Sequence, residues 1–166
     1  MSRGLGTADE APLAGEQQAL LAALARVHLA SGARALLLID VGGRLLAEVG
    51  ETKDLDVAAF ASLTARNIAT TAALARLVGE EDFSILFHQG RKDSIHISLL
   101  GDSAILAVIF GRSASLGMVR LRVGKAAAEI QRIVQKLQRR RSLPGRLESS
   151  PLCDITERDI DEFFTV

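Results

Sequence analysis

Tryptophan and tyrosine are absent from the chain, and its only aromatic rings besides histidine are six phenylalanines. Proteins that grip single-stranded nucleic acid stack bases on aromatic side chains, so the usual platform is missing. The single cysteine, Cys153, excludes an intrachain disulfide and a cysteine-cluster metal site, and it suits a reducing cytoplasm. Neither sign of charge dominates. Twenty Lys and Arg oppose twenty Asp and Glu, which removes bulk attraction to nucleic acid or to a membrane surface. No apolar run reaches membrane-spanning length, so no integral membrane segment is expected. No internal repeat with a period of about 20–50 residues is present. The opening MSRGLGTADEAPLAGEQQ has no apolar stretch behind positive charge, and it is not expected to be a signal peptide. No Ser/His/Asp set, carboxylate pair or metal cluster stands out, so no catalytic residue, metal or cofactor is expected.

What is present is a chain that is 48 % apolar over 166 residues, enough for one domain with tails. Residues 1–15 are small, polar and Gly/Pro-containing, and read as a flexible lead. The domain is expected over 16–138, a basic Pro/Gly-containing linker over 139–151, and a separate acidic amphipathic helix over 152–166.

Within the domain, residues 16–31 have a helical stripe of Leu20, Leu24 and Val27, with Leu21 beside it and Gly32 as a stop. His28 on this helix reads as a partly covered side chain rather than a ligand, since the other histidines are distant in sequence. Two short apolar runs, 34–40 and 44–49, flank Asp40-Val41-Gly42-Gly43, which is turn chemistry and predicts a hairpin. A phosphate loop would need a helix after the glycines and a Lys-Ser/Thr pair, and here a second strand follows. After the next helix come strands over 82–88, 93–100 and 104–110. In the second of these Ile95, Ile97 and Leu99 alternate with Ser94, His96 and Ser98, as in a half-exposed strand. AILAVIF at 104–110 is apolar throughout, as in a central strand covered on both faces. The last helix of the domain, 115–138, repeats Leu116, Val119, Val123, Ala127, Ile130, Val134 and Leu137 at threes and fours. Gly117 and Gly124 lower its propensity and predict a close packing neighbour. Arg139, Arg140 and Arg141 follow, either as a solvated helix end or as a site for acidic lipid or nucleic acid.

The helix over 57–79 is the centre of the functional reading. Ala, Leu and Arg fill most of it. Asp54 or Asp56 caps its start, and Gly79 suits the left-handed position after its end. One face carries Phe60, Leu63, Asn67, Thr70, Leu74 and Leu77; the face turned away carries Ala65, Ala69, Ala72, Ala73 and Arg76. This second face has few long side chains. It is either an ordinary alanine-rich surface or a contact face that lets a partner approach closely.

In the final stretch Thr156 and Asp159 form a capping box, with Ile155 and Ile160 as its hydrophobic staple. Ile160, Phe163 and Phe164 then make an apolar patch at helical spacing among five acids. So short a helix is marginal alone. Its apolar patch either folds back on the protein's own surface or docks in a groove on a partner.

The order helix, hairpin, helix, three-strand meander, helix describes a five-stranded antiparallel sheet between helices, an α/β (α+β) architecture. It resembles the Roadblock / dynein-light-chain family, through ALLLIDVGGRLLAE, LTARNIATTAALARLVGE, FHQGRKDSIHISLLGDSAILAVIF and SLGMVRLRVGKAAAEI. Within that family the likeness is to the bacterial MglB-type branch, carried by Asn67, Ala69 and Ala73, by His88-Gln89-Gly90 and by a C-terminal extension. The resemblance implies a cytoplasmic homodimer joined through strand 3 and helix 2, enriched at a cell pole. It implies activation of a Ras-like GTPase of the MglA type in cell polarity and motility. Ala65, Arg66, Ala69, Ala72, Ala73 and Arg76 are then the expected partner surface, and Ile160, Phe163 and Phe164 a second contact, with the GTPase or with a polarity scaffold. Such activators remodel the GTPase rather than insert an arginine, so Arg66 and Arg76 read as exposed helix residues before they read as fingers. The other reading the family allows is a scaffold that binds a GTPase or a polarity complex without stimulating hydrolysis.

Overall fold

The expected element order is the observed one: α1 (Ala11–Ser31), β1 (Ala35–Asp40), β2 (Leu45–Gly50), α2 (Val57–Leu77), β3 (Ile85–Gln89), β4 (Ser94–Leu100), β5 (Ala104–Phe110) and α3 (Leu116–Arg141). In the computed structural model, which describes residues 11–142, the strands form one antiparallel sheet in the order β2-β1-β5-β4-β3. The last strand of the meander therefore lies in the middle. β2 and β3 are the edges.

Alternation along the strands divides the core into two layers. Leu36 and Leu38 of β1 and Leu106, Val108 and Phe110 of β5 meet α1 and α3 on one face. Leu37, Ile39, Ile105, Ala107 and Ile109 meet α2 on the other. All seven residues of β5 are buried, as its unbroken apolar run predicts for a strand covered twice.

On the two-helix face, Leu20, Leu24 and Val27 of α1 pack beside Val119, Val123, Ile130 and Val134 of α3. The helices run antiparallel, with Arg26 paired to Glu129 at 2.6 Å and Arg140 to Glu16 at 3.3 Å. Ser115 caps α3, its Oγ accepting from the Met118 amide at 3.2 Å. The helix runs three residues beyond its expected end. α1 begins at Ala11, five residues early, because Pro12 falls in the first turn, where an amide has no helical partner to lose. His28 is half-buried, its Nε2 3.3 Å from the Arg34 carbonyl.

Two expectations fail on this face. Gly117 and Gly124 have no close neighbour: a Cβ at either would meet nothing within 4 Å. They lie on the open side of α3. β4 is not half-exposed either. His96 is 1 % and Ser98 5 % exposed, because α3 crosses their face of the sheet. Ser98 Oγ lies 3.3 Å from His96 Nδ1. Burial, and then the charge of Arg120, push the His96 pKa down.

The helix on the opposite face, α2, has both its expected caps. Asp56 accepts from the Ala59 amide at 3.0 Å. Gly79, at φ 82°, lets its amide reach the Arg76 carbonyl and that of Glu80 reach Ala75, a Schellman ending.

Candidate partner-binding surface

The stripe of α2 that meets the sheet is neither of the two faces that its sequence suggests. It is built from Ala61, Thr64, Ala65, Thr71 and Ala75, all buried, with Ile68 packed beside them. Small side chains let the helix lie close to the strands. The leucines of α2 are turned out: Leu63 is 63 %, Leu74 54 % and Leu77 82 % exposed.

The outer surface of α2 has two flanks, and fixed contacts orient both. Asn67 Nδ2 lies 2.9 Å from Nε2 of His88 on β3, which turns the flank of Leu63, Asn67, Thr70 and Leu74 toward that edge strand. On the opposite side the β1–β2 turn approaches the helix. Asp40 organises this turn. Its Oδ1 accepts from the Arg44 amide at 2.8 Å and its Oδ2 from Arg44 Nε at 2.9 Å. Burial works to raise the Asp40 pKa, but the hydrogen bonds and charge of Arg44 outweigh it and hold the carboxyl below its ordinary value. Gly43, at φ 89°, fits because a Cβ there would come within 3.1 Å of Ser62 Cα and 3.5 Å of Ala65 Cβ. The turn thus carries no phosphate cradle; it packs against α2.

Of the residues expected on the partner surface, Arg66, Ala69, Ala73 and Arg76 are exposed together on this second flank. Ala65 is a correction. It is only 7 % exposed and sits in the sheet-facing stripe. Ala72 is half-buried beside it. One residue's shift around a helix is about 100°, so a helix of many alanines gives a weak signal for which of them turns inward. Ile160, Phe163 and Phe164 lie outside the described residues.

The edge strand β3 adds residues that sequence reasoning passed over. Phe83, Ile85 and Phe87 are 39–45 % exposed. Phe87 stacks on Phe110 with ring centroids 6.2 Å apart. On the α2 side of the sheet Leu86, Ile95 and Leu99 are only half-buried, because α2 lies mainly over β1 and β2. The outer side of β3 pairs with no strand among the described residues. An open apolar edge of this kind is a template for pairing with another chain. The signal was available in SILFH, where apolar residues occupy both strand faces. Among the described residues no group of three or more His, Cys, Asp or Glu gathers as a metal site, and no helix is long and apolar enough to cross a membrane.

The model of the Roadblock/LC7 domain matches residues 18–110. The chain belongs to the Roadblock/LC7 family. Among solved structures this Roadblock/LC7 chain is similar to Myxococcus xanthus MglB, at 38 % identity over 70 % of this chain and 95 % of that one, with a TM-score of 0.68. It is similar also to the gliding protein MglB from Thermus thermophilus, at 31 % identity over 81 % and 97 %, TM-score 0.69. An MglB with a tetrameric arrangement matches at 32 % identity over 82 % and 97 %, TM-score 0.70. Within its family the chain is therefore of MglB type. No curated protein sequence matches it. The family match ends with β5, so α3 is supported by the structural relatives and by its own packing.

Proposed function

We propose that this protein is a homodimeric regulator, a GTPase-activating protein, of a Ras-like GTPase of the MglA type, working in the cytoplasm and concentrated at a cell pole. The observation that carries the reading is the division of α2 into two exposed flanks. The leucine flank adjoins the open edge of β3, and a second copy covering both would bury Leu63, Leu74 and the half-buried Leu86 at once. The small flank, with Ala69 and Ala73 between Arg66 and Arg76, remains outside such a dimer and offers the GTPase a close approach. Support for assembly comes from the apolar exposure at this edge and from the tetrameric arrangement of one MglB relative.

GTP hydrolysis requires an oriented water and positive charge on the transition-state oxygens. Arg66 and Arg76 lie exposed on a surface flank. Activation then comes from the GTPase's own residues, brought into line as it is gripped by the paired α2 helices. An arginine at position 69 or 73 would hold the partner away and bury a charge without a counter-charge.

The test is single-turnover GTP hydrolysis by the MglA-type GTPase of the same organism, with the full chain titrated in. Acceleration that saturates near two chains per GTPase, lost in Ala69→Arg and Ala73→Arg while self-association persists, is the expected result. Binding without acceleration would replace the activator by a scaffold. Normal binding by both variants would remove this flank from the interface.

A further inference from the structure

A groove of about 230 Å³ lies between the first half of α1 and the last turns of α3, with β2 as its floor. Its walls are Leu20, Leu21, Leu46, Val134 and Leu137, and Arg141 stands at the end where α3 finishes. Leu20 and Val134 belong to the core, but Leu21 is 46 % exposed and Leu46 and Leu137 are half-buried. The groove is thus an extension of the apolar core that nothing among the described residues covers. It lies on the α1/α3 face of the sheet, opposite α2. Its rim is cationic: Arg140 is already drawn to Glu16, and Arg139 and Arg141 add their charge.

The chain continues beyond this rim for residues 143–166, and what it carries matches the groove. Ile160, Phe163 and Phe164 are apolar, and five acids between Asp154 and Glu162 outnumber the one arginine among them. Pro144-Gly145 follows the end of α3 after two intervening residues, and Pro-Gly is a turn sequence. The stretch from Ser142 to Ile155 reaches up to about 40 Å when extended. The distance back along α3 from Arg141 to Val134 is only about 10 Å.

We propose that the segment 156–166 docks in this groove of its own chain, with Phe163 and Phe164 between Leu21, Leu46 and Leu137 and its acids facing Arg139 and Arg141. A tether of this length sets an effective concentration of roughly millimolar, so even a weak contact is occupied. The docked segment is then withheld from any other partner until the groove releases it. The groove and its occupant thereby form a reversible latch on the side of the molecule away from α2.

Cys153, the only cysteine, allows a direct test on the full chain. A nitroxide attached there will quench NMR amide signals of nearby residues. The expected result is loss of most of the intensity at residues 17–21, 46–47 and 134–138, with recovery in the double variant Phe163→Ser/Phe164→Ser. These substitutions lie outside the described residues, and unchanged signals from α2 and β5 serve as the control for an intact fold. Undiminished groove signals with the nitroxide in place would overturn the proposal. So would quenching on α2 or β3 instead. Quenching that occurs only when nitroxide and isotope are on different chains would assign the groove to a second copy and overturn it equally.

Discussion

α2 and α3 cover opposite faces of one sheet, and they differ in which side chains make the contact with it. Val119, Val123, Ile130 and Val134 of α3 face the strands and are 0–3 % exposed. Leu63, Leu74 and Leu77 of α2 face away from the strands, and its fully buried contacts with the sheet are alanine and threonine, with Phe60 and Ile68 half-buried beside them. Removing a leucine side chain from water is worth about 1.5–3 kcal/mol. Within one chain, the buried valines and isoleucine of α3 realise a gain of that kind and the leucines of α2 do not. α3 is therefore a helix of the core, whereas α2 is a thin layer over the sheet with an apolar back. The difference separates residues that hold the chain together from residues available to hold something else.

The sharpest way to break this comparison is to truncate one residue of each kind. Ile130→Ala opens a cavity in a fully buried site and should cost about 2–5 kcal/mol of unfolding free energy, read from urea denaturation. A cost below about 1 kcal/mol would mean that α3 is not the packed helix described. Leu63→Asp and Leu74→Asp should each change the stability of the isolated chain by no more than about 0.5 kcal/mol, as exposed sites do. In sedimentation velocity the same two changes should shift self-association tenfold or more toward the monomer. Unchanged association would take the leucine flank out of the dimer.

Smaller effects sharpen the contrast. Asp56→Ala removes the side-chain acceptor at the start of α2 and should cost about 1 kcal/mol. If α2 is as thinly held as its alanine contact suggests, hydrogen exchange should quicken first over its opening turns, before any change in α3. Uniform quickening across both helices would deny α2 any separate behaviour.

The smallest effect is one of pH, on the α3 side. Burial and the charge of Arg120 hold His96 below its ordinary value of 6.5. The unfolded chain therefore takes up the proton first as the pH falls. The stability that His96 contributes is whole above that ordinary value, and it declines as the pH drops below it toward the folded-state pKa. Asp40, held below 3.8, does not titrate in this window. Lowering the pH from about 7.5 to about 5.5 should reduce the urea midpoint of the native chain more than that of His96→Gln. Equal reductions would show that His96 is not the group responsible.

Much of the fold was legible because hydrophobic periodicity is local. The alternation of β4, the unbroken run of β5 and the threes and fours of α3 each point to their element. The stops at Gly32 and Gly79 and the aspartates before α2 mark ends by local chemistry; the cap at Ser115 carries the same signal but was not read from it. Of the proposed partner surface, Ala69, Ala73, Arg66 and Arg76 were legible as an outer flank. Ala65 was not, since its inward turn depends on where the β1–β2 turn and the sheet meet the helix. The burial of His96 and Ser98 was equally hidden. Period-two alternation tells which residues share a face, but whether that face meets water depends on a helix that comes later in the chain.

The sequence by itself determined the elements, their order and their ends, because each depends on residues within a few positions of one another. Only the tertiary structure decided which stripe of α2 faces the strands, which edge of the sheet stays open and where the groove beside Arg141 lies. Those outcomes depend on how closely separate elements approach. That closeness is set by side-chain volumes summed across a shared interface, and no single segment contains them.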